Sequence, residues 1–524
     1  MTRADLRIAA ALFLTLVGLY GLFAPGHMYL LDASFKLTWA ENVLHRGQLH
    51  FDHDQIGKES RIGSYFYPGR DGQLYIHFPL GGLFCMLPPA ALGAVLEAAF
   101  PTSAYDLTYS VGAANNVPWA AATVVLLFWL ARRLGRPRRE AGVAALIFGL
   151  ATPLFPYATF DFNEVVAGFF LLLATALVVD RWEERSARWS LAAGLALGFA
   201  FTIRYELLAF AATAGALWFA FAIRDRSRWK GLAAFVVGFA AVAAVVPLYN
   251  WYARGDAGDF AYNKLPFFTN LIKARFEPLE GGGPFAFVGR FAWIYFLSPN
   301  MHNVLIYCPL AVFGAASVLS LVRAYGRRAF FLVVPALGLA AAVLFTTYSS
   351  WAWGLRYAYL FWIILAGAAV LAPRRRKWVR VAFALCVAWG IGLGVLAVVA
   401  DYQLTQNDIA VDVLGDSTKV NFRGWLPEGR ENPRYSQIIW QTKYAGLAVA
   451  RTFDYYVHGG EIAWLDRPPP GMRGDTRALL DIWPIYATVR CDAPAAAAWP
   501  PYFLLLIGTI AAARWLKRSL AEAS

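Results

Sequence analysis

Asp32 is the first residue whose setting suggests chemistry. It stands in Leu31-Asp32-Ala33-Ser34-Phe35-Lys36, a few residues beyond an apolar run that ends at Phe23. A carboxylate at a water–lipid boundary is ionised at neutral pH and can take a proton from a bound hydroxyl. Asp is also a common helix N-cap, and sequence alone leaves both roles open. Phe35, Trp39 and Val43 recur every four residues, and His45-Arg46-Gly47 has the form of a helix end. A short amphipathic helix on the outer leaflet is expected, with Asp32 at its start. The second cluster is Asp161-Phe162-Asn163-Glu164, just before an apolar run at 165–180. Its spacing resembles a capping box. Alternatively, Asp161 and Glu164 face Asp32 across an outer cleft, orienting an acceptor or holding a cation. Arg356 follows the aromatic stretch Tyr348-Ser349-Ser350-Trp351-Ala352-Trp353-Gly354-Leu355. It either snorkels to the interface or grips a phosphate in the fork geometry of guanidinium. Arg204, in Arg204-Tyr205-Glu206, has the same two readings, and Glu206 could neutralise it. Lys58 and Arg61 would extend a phosphate-binding surface, as could Lys264, Lys273 and Arg275, although lone surface cations are ordinarily solvated. His50-Phe51-Asp52-His53-Asp54 contains potential metal ligands, but without helical spacing a solvated loop is the better reading and no metal site is expected.

These residues sit in a chain built for a membrane. Of 524 residues 59% are hydrophobic and 15% charged, against about a quarter charged in soluble domains. Apolar runs lie near 7–24, 111–131, 141–157, 165–180, 189–203, 207–223, 231–250, 303–322, 329–347, 357–372, 381–400 and 497–513. The net charge of +13 falls in short clusters between them, such as Arg132/Arg133/Arg136/Arg138/Arg139 and Arg374/Arg375/Arg376/Lys377/Arg380. That is the pattern of cytoplasmic loops rather than of a nucleic-acid-binding face. All the clusters share one side if those runs cross and residues 79–100 do not; Pro79, Pro88 and Pro89 are expected to interrupt helix there. The segment would then lie along or dip into the outer leaflet. The expectation is an all-α polytopic membrane protein of about twelve transmembrane helices. Residues 1–400 would form its transmembrane catalytic domain, with outer loops at 25–110 and 251–300 and juxtamembrane helices in the first. A small mixed extracytoplasmic domain would span 401–496, and 497–524 would supply a final transmembrane helix and cytoplasmic tail. Within the 401–496 domain, Trp425, Trp440, Tyr444 and Trp464 could stack on an acceptor or form a small core. Cys85, Cys308, Cys386 and Cys491 show no paired spacing, so neither a metal site nor a disulfide framework is indicated. The run after Arg7 lacks a small-x-small cleavage signal and reads as an uncleaved first helix. The middles of the runs are almost free of charge, whereas pumps and ion-coupled transporters accept the cost of intramembrane charge.

The order of the motifs carries a resemblance. Asp32 with Ala40-Glu41-Asn42-Val43-Leu44-His45-Arg46-Gly47-Gln48-Leu49 resembles the first outer loop of GT-C membrane glycosyltransferases, which include protein O-mannosyltransferases and the aminoarabinose transferases of lipid A. Asp71-Gly72-Gln73-Leu74-Tyr75-Ile76-His77-Phe78-Pro79-Leu80-Gly81 looks like their DGxxY…PxG stretch. Ser298-Pro299-Asn300 through Tyr307-Cys308-Pro309 is similar to an SPxxG…YxP element, with Met301-His302 where a glycine is more usual, and Trp353-Gly354-Leu355-Arg356-Tyr357 resembles their GxRY. The mannosyltransferases commonly carry an Asp-Glu pair; here Ala33 follows Asp32. The likeness covers roughly the first 370 residues. It implies an inverting glycosyltransferase of the bacterial plasma membrane, active on the extracytoplasmic face. The donor would be a polyprenyl-phosphate-linked sugar, the acceptor a glycan, lipid or protein, and Asp32 the base. No cofactor is required by it, though a divalent cation is possible. The competing classes are a polyprenyl-lipid or glycan transporter or flippase and a non-catalytic glycan-binding subunit.

Overall fold

A computed structural model describes residues 2–29, 31–52, 65–100, 106–184, 186–258, 296, 303–346, 356–374, 376–400, 437–457, 479–490 and 495–522. Lys58, Arg61, Lys264, Lys273, Arg275, Cys491 and the motif residues at 298–302 and 348–355 lie outside them. So do residues 401–436, 458–478 and 491–494 of the segment expected to form an extracytoplasmic domain.

The chain is an all-α polytopic membrane protein. In chain order, α1 is Arg3–Leu22, α2 Leu31–Arg46, α3 Gly81–Ala99, α4 Leu107–Ala113, α5 Asn116–Arg133, α6 Arg138–Leu150, α7 Leu154–Thr159, α8 Glu164–Arg181, α9 Ala187–Ile203, α10 Leu207–Arg224, α11 Trp229–Ala243 and α12 Val245–Arg254. Among the described residues, seven helical stretches are long and apolar enough to cross a membrane: Arg3–Leu22, Gly81–Ala99, Leu107–Arg133, Leu207–Arg224, Arg226–Arg254, Lys377–Val399 and Ala495–Ala521. The other apolar runs also contain helices, but these are shorter or broken, except α8, an 18-residue helix that carries Glu164, Asp180 and Arg181 at its ends. The run at 141–157 divides into α6 and α7 around Pro153, and that at 303–322 into Val304–Tyr307, Pro309–Ala316 and Val318–Tyr325. Leu208, Phe219, Val237, Leu385, Leu504 and Ile507 point outward as large exposed apolar side chains, as lipid-facing surfaces require.

Ionic contacts collect at one end of the bundle. Thr2 caps α1: its hydroxyl accepts from the Asp5 amide, and Asp5 in turn accepts from the Thr2 amide. The other Asp5 oxygen lies 3.0 Å from both Arg132 and Arg138. Arg133 meets Asp180 at 2.6 Å. Arg136 donates to the Tyr325 hydroxyl, which donates to the Leu371 carbonyl. The start of α1, the ends of α5 and α8, the start of α6 and the end of helix Tyr359–Leu371 therefore share one basic end. Glu164 and Arg356 stand at the opposite ends of α8 and helix Tyr359–Leu371, and Arg204, at the end of α9, joins them there.

Between the ends, helices approach closely where side chains vanish. A Cβ on Gly194 would stand 2.1 Å from the Phe235 carbonyl oxygen, one on Gly198 2.7 Å from that of Phe239, and one on Gly238 2.4 Å from that of Leu191. The Gly194-x-x-x-Gly198 spacing thus lets α9 and α11 pack backbone to backbone.

α3 departs from expectation in one respect. Its helix runs unbroken through Pro88 and Pro89, because two missing donors remove only two rungs of the ladder and neighbouring helices support the rest. By length and composition it could cross a membrane. Both of its halves, however, touch other parts of the segment between α1 and α5. Gly82 abuts Lys36 and Asn163, while Glu97 accepts from the Thr108 amide and Gly93 packs on Thr108. The α4 that Thr108 helps begin then bonds back to Gly26 and Met28 through Ser110 and Tyr109.

The same segment holds a hairpin, β1 (Phe66–Pro68) antiparallel to β2 (Leu74–Ile76), with Tyr67 opposite Tyr75. Gly72 takes φ +78 in its turn, and the Asp71 carboxylate accepts from the Gln73 amide and the Tyr75 hydroxyl at 3.0 and 2.8 Å.

Candidate active site

α2 carries Asp32 in its first turn, not ahead of it as an N-cap. Its apolar stripe also faces protein rather than a leaflet. Phe35 packs edge-on to Phe66 at 4.9 Å, and buried Trp39 meets Tyr249 at 5.9 Å. The hairpin and α12 supply the apolar partners that a bilayer would have offered, so α2 docks on the bundle. Its buried face includes Lys36, one helical turn beyond Asp32.

The turn at 160–163 is pinned from α5. Asn116, buried at the head of that helix, donates its side-chain amide to the Phe160 and Phe162 carbonyls at 2.5 and 2.7 Å. α8 begins directly after it. The capping box that the spacing of Asp161 and Glu164 resembles does not form, since Asn163 precedes the helix without a side-chain cap. Glu164 turns instead to two guanidiniums. Its Oε1 lies 2.7 Å from Arg356 Nε and 3.0 Å from Arg204 Nη1. Arg204, as expected, is also paired with Glu206, Nε to Oε1 at 2.7 Å. Glu164 is fully buried and both arginines are 8% exposed, so neither snorkels. Arg356 further lies over the Phe162 ring at 4.4 Å and reaches towards Asp32, Nη1 to Oδ2 at 3.7 Å.

Asp32, Glu164, Arg204 and Arg356 therefore converge on one cleft. Asp32 is its open member, with 24% of its side chain exposed. Asp161 is buried in the same turn, but the ion pairs run through Glu164. Lys58 and Arg61 cannot be placed, being outside the described residues. In the His50–Asp54 run, Asp52 pairs with Arg46 at 2.7 Å and His50 packs on the Tyr75 ring, while His53 and Asp54 are outside the described residues. Two residues went unassigned in the sequence: Asn116, whose role depends on a loop forty residues on, and Lys36, whose only signal was its i, i+4 spacing from Asp32.

Beside the cleft, residues 479–490 close on the loop between α1 and α2. Asp481 accepts from Tyr29 and lies 2.9 Å from His27 Nε2, and the Trp483 amide donates to the Ala24 carbonyl. Tyr444 is buried with Ala400 and Ala448 as a small core, and Trp425 and Trp464 are outside the described residues.

This is a multi-helix membrane protein with a cleft of paired carboxylates and guanidiniums at one end of its bundle. Residues 115–251, which hold Asn116, Glu164 and Arg204, match the family model of dolichyl-phosphate-mannose-protein mannosyltransferase. The chain resembles the GT-C membrane glycosyltransferases, and the match adds to the motifs read above. Among solved structures, the chain is similar to the apo Archaeoglobus fulgidus oligosaccharyltransferase, at 16% identity and a TM-score of 0.45 over 83% of this chain and 64% of that one. It is also similar to Cupriavidus metallidurans ArnT bound to undecaprenyl phosphate, at 15% identity and a TM-score of 0.42 over 83% and 75%. Mycobacterium smegmatis arabinosyltransferase EmbB matches at 13% identity and a TM-score of 0.38 over 99% and 41%. The chain thus spans less than two thirds of the archaeal enzyme's length. No curated protein matches it.

Proposed function

We propose that this protein transfers a sugar from a polyprenyl-phosphate-linked donor to an acceptor hydroxyl, with inversion, on the extracytoplasmic side of the membrane. The observation that carries the reading is the pairing at the cleft: a partly exposed carboxylate, Asp32, beside a buried guanidinium, Arg356, that Glu164 holds in place. A base and a fixed positive charge a few ångströms apart are what displacement at a sugar–phosphate bond needs. Asp32 takes the proton of the acceptor hydroxyl as its oxygen attacks the anomeric carbon from the face opposite the phosphate. The carbon–oxygen bond to phosphate breaks, its electron pair stays on the phosphate, and polyprenyl phosphate leaves. A positioned general base is typically worth about a hundred- to ten-thousand-fold. Holding both substrates in line, and cations near the leaving group, supply much of the rest.

In this reading Glu164 positions the two arginines rather than the acceptor, because its bonding oxygen is shared between them. The cations of the cleft can meet the leaving phosphate, so the step requires no metal, though a divalent cation bound with the donor is compatible with it. The acceptor is a glycan, a lipid or a protein.

The test is release of polyprenyl phosphate from a radiolabelled lipid-linked sugar by the purified chain. Asp32→Asn should lower turnover by roughly a hundredfold or more while abundance and donor binding persist. Unchanged turnover in that variant would sink the mechanism.

A further inference from the structure

The cleft holds a third cation, and its circumstances differ from those of the arginines. Lys36 is only 4% exposed, yet among the described residues its ammonium has no carboxylate within ion-pairing distance. Its contact is the Phe78 ring, with Nζ 4.5 Å from the centroid. Lysine is almost never fully buried unless paired. Arg204 is committed to Glu164 and Glu206, and Arg356 to Glu164 and the Phe162 face. Those two guanidiniums are fixed before any substrate arrives, whereas Lys36 is held in place without an ion-pair partner among the described residues.

The fold also aims Lys36. A Cβ on Gly82 would come within 3.2 and 3.4 Å of Lys36 Cδ and Cε and 3.0 Å of Asn163 Nδ2. The start of α3 therefore presses the stem against the 160–163 turn, with no room for a larger residue. Being one turn from Asp32, the ammonium stands on the same side of α2 as the base. Burial pushes its pKa below the usual lysine range; Asp32 and Glu164 oppose that shift, and Arg356 and Arg204 add to it. An anion entering beside it would relieve that imbalance.

We propose that Lys36 is the cation that receives the donor's phosphate, with Arg204 and Arg356 forming the preset field around it. The inference rests on the glycosyl-transfer reading and names the residue that takes up the leaving charge. As the carbon–oxygen bond breaks, the phosphodiester's single negative charge becomes that of a monoester, and Lys36 lies where the additional charge is stabilised.

The experiment uses the full chain in detergent micelles and measures binding of decaprenyl monophosphate, with uncharged decaprenol as control. Lys36→Met should weaken monophosphate binding by roughly ten- to a hundredfold, the range of a charge-assisted hydrogen bond, and leave decaprenol binding unchanged. Lys36→Arg should restore most of the loss. In turnover, Lys36→Met should raise the donor KM and lower kcat, whereas a purely structural lysine would shift the melting temperature and not the phosphate–alcohol difference. Should the Met variant not fold, Lys36→Gln provides the same comparison. Wild-type-like monophosphate binding by a folded charge-removed variant would overturn the proposal. Wild-type turnover alongside that result would leave the glycosyl-transfer reading standing. Conversely, Lys36-dependent phosphate binding by a wild-type chain that turns over no lipid-linked sugar would end that reading and leave a lipid-phosphate site.

Discussion

At the scale of single residues, the cleft is organised by Glu164. One of its carboxylate oxygens serves two buried arginines that arrive from distant parts of the chain. Neutralising a buried ion-pair partner strands the remaining charges, commonly at a cost of about 3–5 kcal/mol. Glu164→Gln should therefore lower the thermal midpoint clearly, along with turnover. Melting the variant in detergent checks this; an unchanged midpoint with lost turnover would instead make Glu164 a substrate ligand. The importance of this residue was half legible in the sequence. Its type and place before an apolar run marked it, but the same spacing suggested a capping box. Local pattern cannot separate the two, because the arginine that decides the matter lies 192 residues away.

At the scale of elements, two contacts govern how the cleft is framed. α9, which ends at Arg204, is seated on α11 by Gly194, Gly198 and Gly238. Gly194→Val would place side-chain carbon on the Phe235 carbonyl, and overpacking of this kind typically costs about 1–3 kcal/mol. The variant should show reduced thermal stability, while Gly215→Ala, which meets nothing within 4 Å, should not. A differential melt of the two checks the claim. The second contact is Asp481 with His27 and Tyr29, which ties the segment after residue 478 to the loop between α1 and α2. Asp481→Ala leaves the buried Tyr29 hydroxyl without that acceptor, a loss of roughly 1–3 kcal/mol. Limited proteolysis should then cut faster within 458–490 than in the wild type, and an unaltered pattern would place the anchorage elsewhere. The helices themselves were legible, since hydropathy and charge are carried by the segment. The docking of α2 was not: an apolar stripe is satisfied equally by lipid or by a neighbouring hairpin.

At the scale of the whole molecule, the helices divide their ends between a basic cap and the Asp32 cleft. The positive-inside rule predicts an orientation in which Arg139 faces the cytoplasm and Arg46 the opposite side. Both positions are exposed. In a chain with its native cysteines replaced, Arg46→Cys should react with a membrane-impermeant maleimide in intact cells, and Arg139→Cys only after permeabilisation. Labelling of both in intact cells would contradict the arrangement.

By itself the sequence determined the class: an all-helical membrane chain, most of its long apolar helices, and the polar turns where chemistry could sit. Those features follow from apolar length and the placement of charge, which are properties of contiguous residues. It also presented Asp32 and Arg356 as candidates without relating them. Only the tertiary structure decided that Glu164 binds both arginines, that Asp32 remains the open carboxylate, and that Lys36 stands among them with no carboxylate partner among the described residues. A buried charge is defined by its neighbours, and here those neighbours come from four separate helix ends.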